Sequence, residues 1–193
     1  MLTTFYLVDK LYKFYKLYEL YKLYKLNMLI LGLDPGTATI GFALLKKQKN
    51  ELCASHYGCI TTKAGEDAGK RLGYIEKELC ALIKKFHPQE AAIEKLFFLN
   101  NIKTAMAVSE ARGVMLLTLA KLKLPTFEYT PLQVKMSVTG YGKAPKIQVQ
   151  KMVKTFLKLD ALPQPDDAAD ALAIAICHAS QIQFKIKKGL ANT

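Results

Sequence analysis

Met28-Leu29-Ile30-Leu31-Gly32-Leu33-Asp34-Pro35-Gly36-Thr37-Ala38-Thr39-Ile40-Gly41 is an apolar run that stops at a single carboxylate. No polar side chain interrupts Met28 to Leu33, which is the pattern of a strand buried on both faces. Pro35 has no N–H for a central ladder, so Asp34 falls where the strand stops or turns. Gly36 and Gly41 let the backbone bend there or approach something closely. An acid at the open end of a central strand is well placed for a metal ion or a reacting group. An ordinary Asp-Pro-Gly turn uses the same residues. The stretch therefore gives a strand and its end, and the chemistry must come from the rest of the chain.

Working outward, Thr39–Leu45 and Glu51–Thr62 are joined by a polar turn around 46–50 and read as a hairpin. The chain thus opens with three consecutive strands, the first carrying Asp34. Over Lys70–Phe86, Leu72, Ile75, Leu79, Leu82, Ile83 and Phe86 recur at helical spacing, and His87-Pro88 ends the helix. Glu90–Glu94 is a short strand that again brings an acid, Glu94, to or near its end. Phe97 and Phe98 follow. Adjacent side chains of an extended chain face opposite ways, so one of the two is expected at the surface, where it suits stacking on unpaired bases.

Lys103–Lys123 reads as a long helix containing Arg112-Gly113, with small residues that allow close approach to a sheet or to a second subunit. Thr126–Thr130 is a further strand, and Pro131 to about Val138 a short helix carrying Lys135. The basic loop 139–146 holds Lys143 and Lys146, and Pro145 suits the first turn of the helix that follows. That helix, Ile147–Leu159, is expected to turn Val149, Met152, Val153, Phe156 and Leu157 inward. The last helix opens at Asp166, a good N-cap. Asp167 and Asp170, three apart, share a face; Asp166 and Asp170, four apart, share one too. Acids in a first turn complement the helix dipole, which accounts for Asp166 and Asp167 better than for Asp170. Residues 182–193 read as a frayed basic tail.

Residues 1–27 are of another kind. From Leu11 to Lys25 they repeat a triplet of the Leu-Tyr-Lys type, a period that matches neither strand nor α-helix. On an α-helix the Leu and Tyr stripes would wind around the cylinder without forming one face. The expectation is a low-complexity extension outside the fold, ahead of a functional start at Met28; a mass measurement finding it in the native protein would count against that. The alternative is a basic, aromatic arm that touches DNA or a membrane surface.

The 193 residues suffice for one domain with a real core, placed at 28–181, and 51% of them are hydrophobic, which excludes disorder along the whole chain. No apolar segment is long enough to cross a bilayer, and no membrane partner is expected. Cys53, Cys59, Cys80 and Cys177 have no paired CxxC spacing, so they read as free or buried thiols of a reducing, cytoplasmic compartment. The net charge of +12 points to an acidic partner, nucleic acid first. Residues 1–27 hold five lysines against Asp9 and Glu19, so +9 remains on 28–193.

The element order, three strands and then alternating helices and strands, is that of an α/β fold. Asp34, Glu94, Asp167 and Asp170 would make a four-carboxylate cluster. Such a gathering is unfavourable without cations, and hard oxygen donors suit Mg²⁺ or Mn²⁺. Two such ions ~4 Å apart are an arrangement that hydrolyses phosphodiesters.

Six motifs in this order resemble the bacterial RuvC-type Holliday junction resolvases across about Met28 to Gln181. They are Gly32-Leu-Asp34-Pro-Gly-Thr, Ala92-Ile-Glu94-Lys-Leu-Phe97, Glu110-Ala-Arg-Gly-Val114, Gln133-Val-Lys135, Lys146-Ile-Gln-Val-Gln150 and Asp167-Ala-Ala-Asp170-Ala-Leu-Ala. The resemblance implies a ribonuclease H-like fold: a mixed five-stranded sheet, its first three strands antiparallel, flanked by helices. It implies a homodimer that cuts opposing strands of a four-way DNA junction with two Mg²⁺ per active site, Mn²⁺ substituting, and works with the branch-migration proteins RuvA and RuvB. By position Asp34, Glu94, Asp167 and Asp170 match the family's metal-binding carboxylates, with Asp167 favoured over Asp166 by spacing. Phe97 matches its aromatic near the junction centre, and Lys135 and Lys146 match basic residues facing DNA, Lys146 with a catalytic part as well. Phe98, Lys143 and Arg112 join them as expected DNA contacts, and the Lys103–Lys123 helix looks like the dimer-forming one. Three rival readings are a related nuclease acting on another nucleic acid, a junction-binding protein without catalysis, and an actin-like ATPase or sugar kinase. The last needs two such domains, and this chain has room for one.

Overall fold

Alternation along the strands decides which side chains meet. The structure, a computed structural model, describes residues 2–49, 51–96 and 102–191. In order these form α1 (Leu2–Leu26), β1 (Asn27–Asp34), β2 (Thr39–Gln48), β3 (Glu51–Thr61), α2 (Ala68–Phe86), β4 (Glu90–Glu94), α3 (Ile102–Lys121), β5 (Thr126–Tyr129), α4 (Pro131–Thr139), α5 (Lys146–Leu157) and α6 (Asp166–Ala191). The sheet order is β3-β2-β1-β4-β5. β1 pairs antiparallel with β2 and β2 with β3, while β4 runs parallel to both β1 and β5. The mixed five-stranded sheet expected from the sequence is present, with β1 at its centre.

Two apolar layers cover the sheet. On one face Met28, Ile30 and Ala92 pack with α4, α5 and α6; on the other Leu31, Leu33, Ala91 and Ile93 pack with α2 and α3. The period of two therefore puts Gly32 and Asp34 of β1, and Glu90 and Glu94 of β4, on the α6 side. Gly32 and Gly41 let α6 come down onto the sheet. A Cβ on Gly32 would lie 2.2 Å from the Ala171 carbonyl oxygen, and one on Gly41 would lie 1.9 Å from that of Asp167. Ala168, Ala169, Ala171, Ala173 and Ala175 complete the close contact, all of them buried.

Local signals set the helix ends. The Asp67 side chain accepts from the Lys70 N–H at the start of α2, and His87 closes that helix at φ 50°. Thr130 and Gln133 form a reciprocal capping box at α4, which Gly140 ends at φ 73°.

Several boundaries differ from the sequence expectation. β2 and β3 extend to Gln48 and from Glu51, so the turn is tighter than 46–50. Asp166 is the first residue of α6 and not its cap, because the Pro165 carbonyl accepts the Ala169 N–H. Phe156 on α5 is exposed, not turned inward. Residues expected to fray beyond 181 continue α6 to Ala191, since Ile182 and Ile186 still reach the core and no proline intervenes.

Leu2–Leu26 is helical although its triplet period gives no single apolar face; Leu, Tyr and Lys are all tolerated in helices. Its last turn meets the domain. Lys25 pairs with Glu90, whose other oxygen lies 2.8 Å from His178 Nε2, and His178 Nδ1 lies 2.7 Å from the Tyr129 hydroxyl. Among the described residues no helix is long and apolar enough to cross a membrane.

Candidate active site

Asp34 and Glu94 end neighbouring parallel strands, each one step beyond the Leu33–Ile93 pair. Their shared parity points both toward α6, whose first two turns carry Asp167 and Asp170. Carboxylate oxygens of Asp34, Asp167 and Asp170 all lie within 4.8 Å of one another. Glu94 lines the same cleft, about 240 Å³ in volume, with Asp34, Asp170, Lys135 and Lys146.

The electrostatics show how crowded the acids are. Burial, then the charges of Glu94, Asp170 and Asp167, push the Asp34 carboxyl up to about 8, against the pull of Lys146. Burial and Asp170 push Glu94 up to about 7, with Lys135 opposing. Asp170 is raised as well, by burial first, although the Lys146 ammonium 2.9 Å away favours its charged form. Burial first, then the charge of Asp167 and that of Asp34, also raise the thiol of Cys59, a β3 residue that pairs with Gly41 of β2.

Four oxygen-donor side chains, part-buried and mutually repelling, fit a divalent cation. Their donor type selects hard ions such as Mg²⁺ or Mn²⁺ over soft ones. Bound there, such ions would neutralise the cluster, polarise a phosphodiester and activate water.

The four expected basic residues are placed differently. Lys146 opens α5 and bridges to α6, 2.9 Å from Asp170 and 3.5 Å from Asp166. Lys135 lines the cleft from α4. Lys143 is exposed on the loop before α5. Arg112, also expected at DNA, is engaged within the chain: its Nε donates to the Glu94 carbonyl at 3.0 Å, and its Nη2 pairs with Glu128. Its guanidinium thus ties the end of β4 to β5 and α3, which makes it a support for Glu94. Phe97 and Phe98 lie outside the described residues.

Of the doubled acids, Asp167 joins Asp34 and Asp170. Asp166 instead accepts from Gln150 Nε2 at 2.9 Å. Gln150, buried at 5% exposure, is a site residue that the sequence reading overlooked. The signal was there: Gln150 stands four residues after Lys146 on one helix, so the two share a face.

The comparisons agree with this geometry. The family model described as "Crossover junction endodeoxyribonuclease RuvC" matches residues 30–178. The crossover junction endodeoxyribonuclease RuvC of Moorella thermoacetica is 53% identical over 153 residues, covering 79% of this chain and 92% of the relative. That of Halothermothrix orenii is 49% identical over 162 residues, covering 84% and 98%. The structure of Thermus thermophilus RuvC in complex with a Holliday junction substrate superposes with a TM-score of 0.78 at 31% identity, covering 82% of this chain and 97% of that one. The sheet order, the two helical layers and these matches identify the ribonuclease H-like architecture of RuvC. With the fold, the acidic cleft and nearly full-length relatives in accord, the chain belongs to the RuvC family of crossover junction endodeoxyribonucleases.

Proposed function

We propose that this chain resolves four-way DNA junctions by metal-dependent hydrolysis of a phosphodiester on each of two opposing strands. The observation that carries the reading is the convergence of Asp34, Asp167 and Asp170 within 4.8 Å, with Glu94 in the same cleft and lysines at its mouth. Family membership gives the substrate class, and the T. thermophilus relative is described with a Holliday junction substrate.

In this reading Asp34, Glu94, Asp167 and Asp170 hold two Mg²⁺, with Mn²⁺ able to substitute, and those ions supply Lewis acidity and an activated water. The remaining work falls to the chain. Lys146 neutralises the scissile phosphate or the departing 3′-oxygen, Lys135 and Lys143 contact backbone phosphates, and Phe97 and Phe98 stack on bases that the junction leaves unpaired. Arg112 keeps Glu94 in place.

Two cuts related by the two-fold axis of a junction call for two clefts related by a two-fold axis, hence a homodimer. Met106, Gly113 and Leu117 of α3 recur at helical spacing; Met106 and Leu117 are exposed, and the space beside Gly113 is open, which supports α3 as the interface. The branch-migration proteins RuvA and RuvB are the partners this role implies, in the cytoplasm.

The test is a labelled synthetic four-way junction, incubated with purified protein with and without Mg²⁺, beside duplex and RNA–DNA hybrid controls. Paired, symmetric cuts in the junction alone, dependent on the metal, are expected. Cutting of the hybrid in preference would support the related-nuclease reading, and binding without cutting the non-catalytic one. Asp34→Asn is expected to lower cleavage by at least about a thousandfold while junction binding persists, a loss in the range assigned to whole transition-state contacts. Normal cleavage by Asp34→Asn would remove that residue from the site.

A further inference from the structure

The face where α5 meets α6 carries two acids for one lysine. Lys146 Nζ lies 2.9 Å from Asp170 Oδ2 and 3.5 Å from Asp166 Oδ2. Asp170 belongs to the carboxylate cluster, and Asp166 is not part of it. Asp166 is also held: its other oxygen, Oδ1, accepts from Gln150 Nε2 at 2.9 Å, and Gln150 is itself buried on α5. The four residues make a rectangle, Lys146 and Gln150 four apart on α5 facing Asp166 and Asp170 four apart on α6.

This arrangement has a consequence once Asp170 serves as a metal ligand. An Asp170 carboxylate that shares its charge with a cation holds the ammonium 2.9 Å away less strongly, even where its second oxygen remains free to accept. A lysine on a four-carbon stem, once released, would sweep through solvent. Asp166, already within reach and outside the cluster, gives that ammonium a place to stay. We propose that Asp166, braced by Gln150, is a positioning residue that keeps Lys146 at the mouth of the cleft when Asp170 turns to a metal. This deepens the proposed function and rests on it. It also gives the second acid of Asp166-Asp167 a role of its own: Asp167 faces the ions, and Asp166 faces the lysine.

The test separates a lysine anchor from a mere extra negative charge. Asp166→Asn keeps the shape and can still accept from Gln150, but lacks the charge that holds Lys146. Mg²⁺ and Mn²⁺ binding are measured by calorimetry, without DNA, in the wild type, Asp166→Asn, Lys146→Ala and the double variant. In the chain that has Lys146, Asp166→Asn is expected to weaken binding about twofold to fivefold, the scale of a partly exposed ion pair. In the Lys146→Ala background the same change is expected to do nothing. On the junction, kcat is expected to fall with KM nearly unchanged, and Asp166→Glu to recover part of the loss. Equal weakening in both backgrounds would make Asp166 only a remote charge on the ions, and no change in either would mean that it does not engage Lys146; each result overturns the inference. If the wild type cuts junctions yet shows no such coupling, this inference alone fails. If the wild type neither binds the ions nor cuts the junction, the proposed function fails with it.

Discussion

At Asp34 the carboxyl is pushed up to about 8 by burial first, then by Glu94, Asp170 and Asp167, with Lys146 opposing. In the unfolded chain the same group titrates near ~4. Between these two values the metal-free folded chain keeps a proton that the unfolded chain has given up. Its contribution to stability is therefore full below about 4 and is lost as the pH rises toward about 8. Glu94, pushed up to about 7, acts with the same sign. Asp34→Asn removes the cost of ionising this position. In EDTA at pH 8 the variant is expected to be more stable than the wild type by about 1–3 kcal/mol, and the gap to close near pH 5. Thermal unfolding followed by circular dichroism at the two pH values measures this. Added Mg²⁺ should raise the wild-type midpoint more at pH 8 than at pH 5 and move Asp34→Asn little. Identical melting of both chains at both pH values would mean that Asp34 is not crowded by the other acids.

Among the elements, α6 does most to build the site, because it carries two of the acids and lies directly on β1 and β2. That approach depends on absent side chains. A methyl on Gly41 would meet the Asp167 carbonyl oxygen at 1.9 Å, a contact that only a shift of α6 or β2 can relieve. Gly41→Ala is therefore expected to destabilise the fold by about 1–3 kcal/mol, measured by urea denaturation, and to lower cleavage at least tenfold by moving Asp167 away from Asp34. Gly73→Ala on α2, placed where nothing lies within 4 Å, is the control for a glycine loss without a clash. Unchanged cleavage by Gly41→Ala would show that the cluster tolerates displacement of α6.

Much of this was legible in the chain. The unbroken run of β1, the Glu90–Glu94 strand, the helical spacing of α2 and the Asp167–Asp170 pair each carry their own periodicity, whereas the common face of Asp34 and Glu94 needed the Leu33–Ile93 pairing of the sheet. What escaped the reading depends on partners distant in sequence. Arg112 looks like a free cation until β4 and β5 bring the Glu94 carbonyl and Glu128 to it. Gln150 is an ordinary polar residue on α5 until α6 delivers Asp166. The helix α1 was missed for a different reason: its triplet repeat gives no apolar face, and facing is the signal from which a helix is read.

On the scale of the whole molecule, the described residues of a chain present one acidic cleft within a strongly basic protein. The charge of +12 will draw any four-way junction toward it, and a long-range attraction of this kind weakens as salt is added. Charge alone does not make two cuts concerted; that requires a second cleft held at a fixed angle to the first. The exposed face of α3 is suited to hold it, since Met106 and Leu117 stand 63% and 55% exposed on either side of Gly113. A pair of such helices can approach closely across the glycine and bury both apolar side chains. Leu117→Glu sets two like charges against each other in that contact while leaving the cleft, on the opposite face of the sheet, intact. If the proposed dimer forms through α3, the variant is expected to sediment as a monomer at concentrations where the wild type sediments as a dimer. On a plasmid-borne cruciform it is expected to give nicked circles in place of linear product, because each junction then loses only one strand per binding event. A monomeric variant that still linearised the plasmid at the wild-type rate would separate paired cleavage from dimerisation, and a variant that remained dimeric would move the interface away from α3.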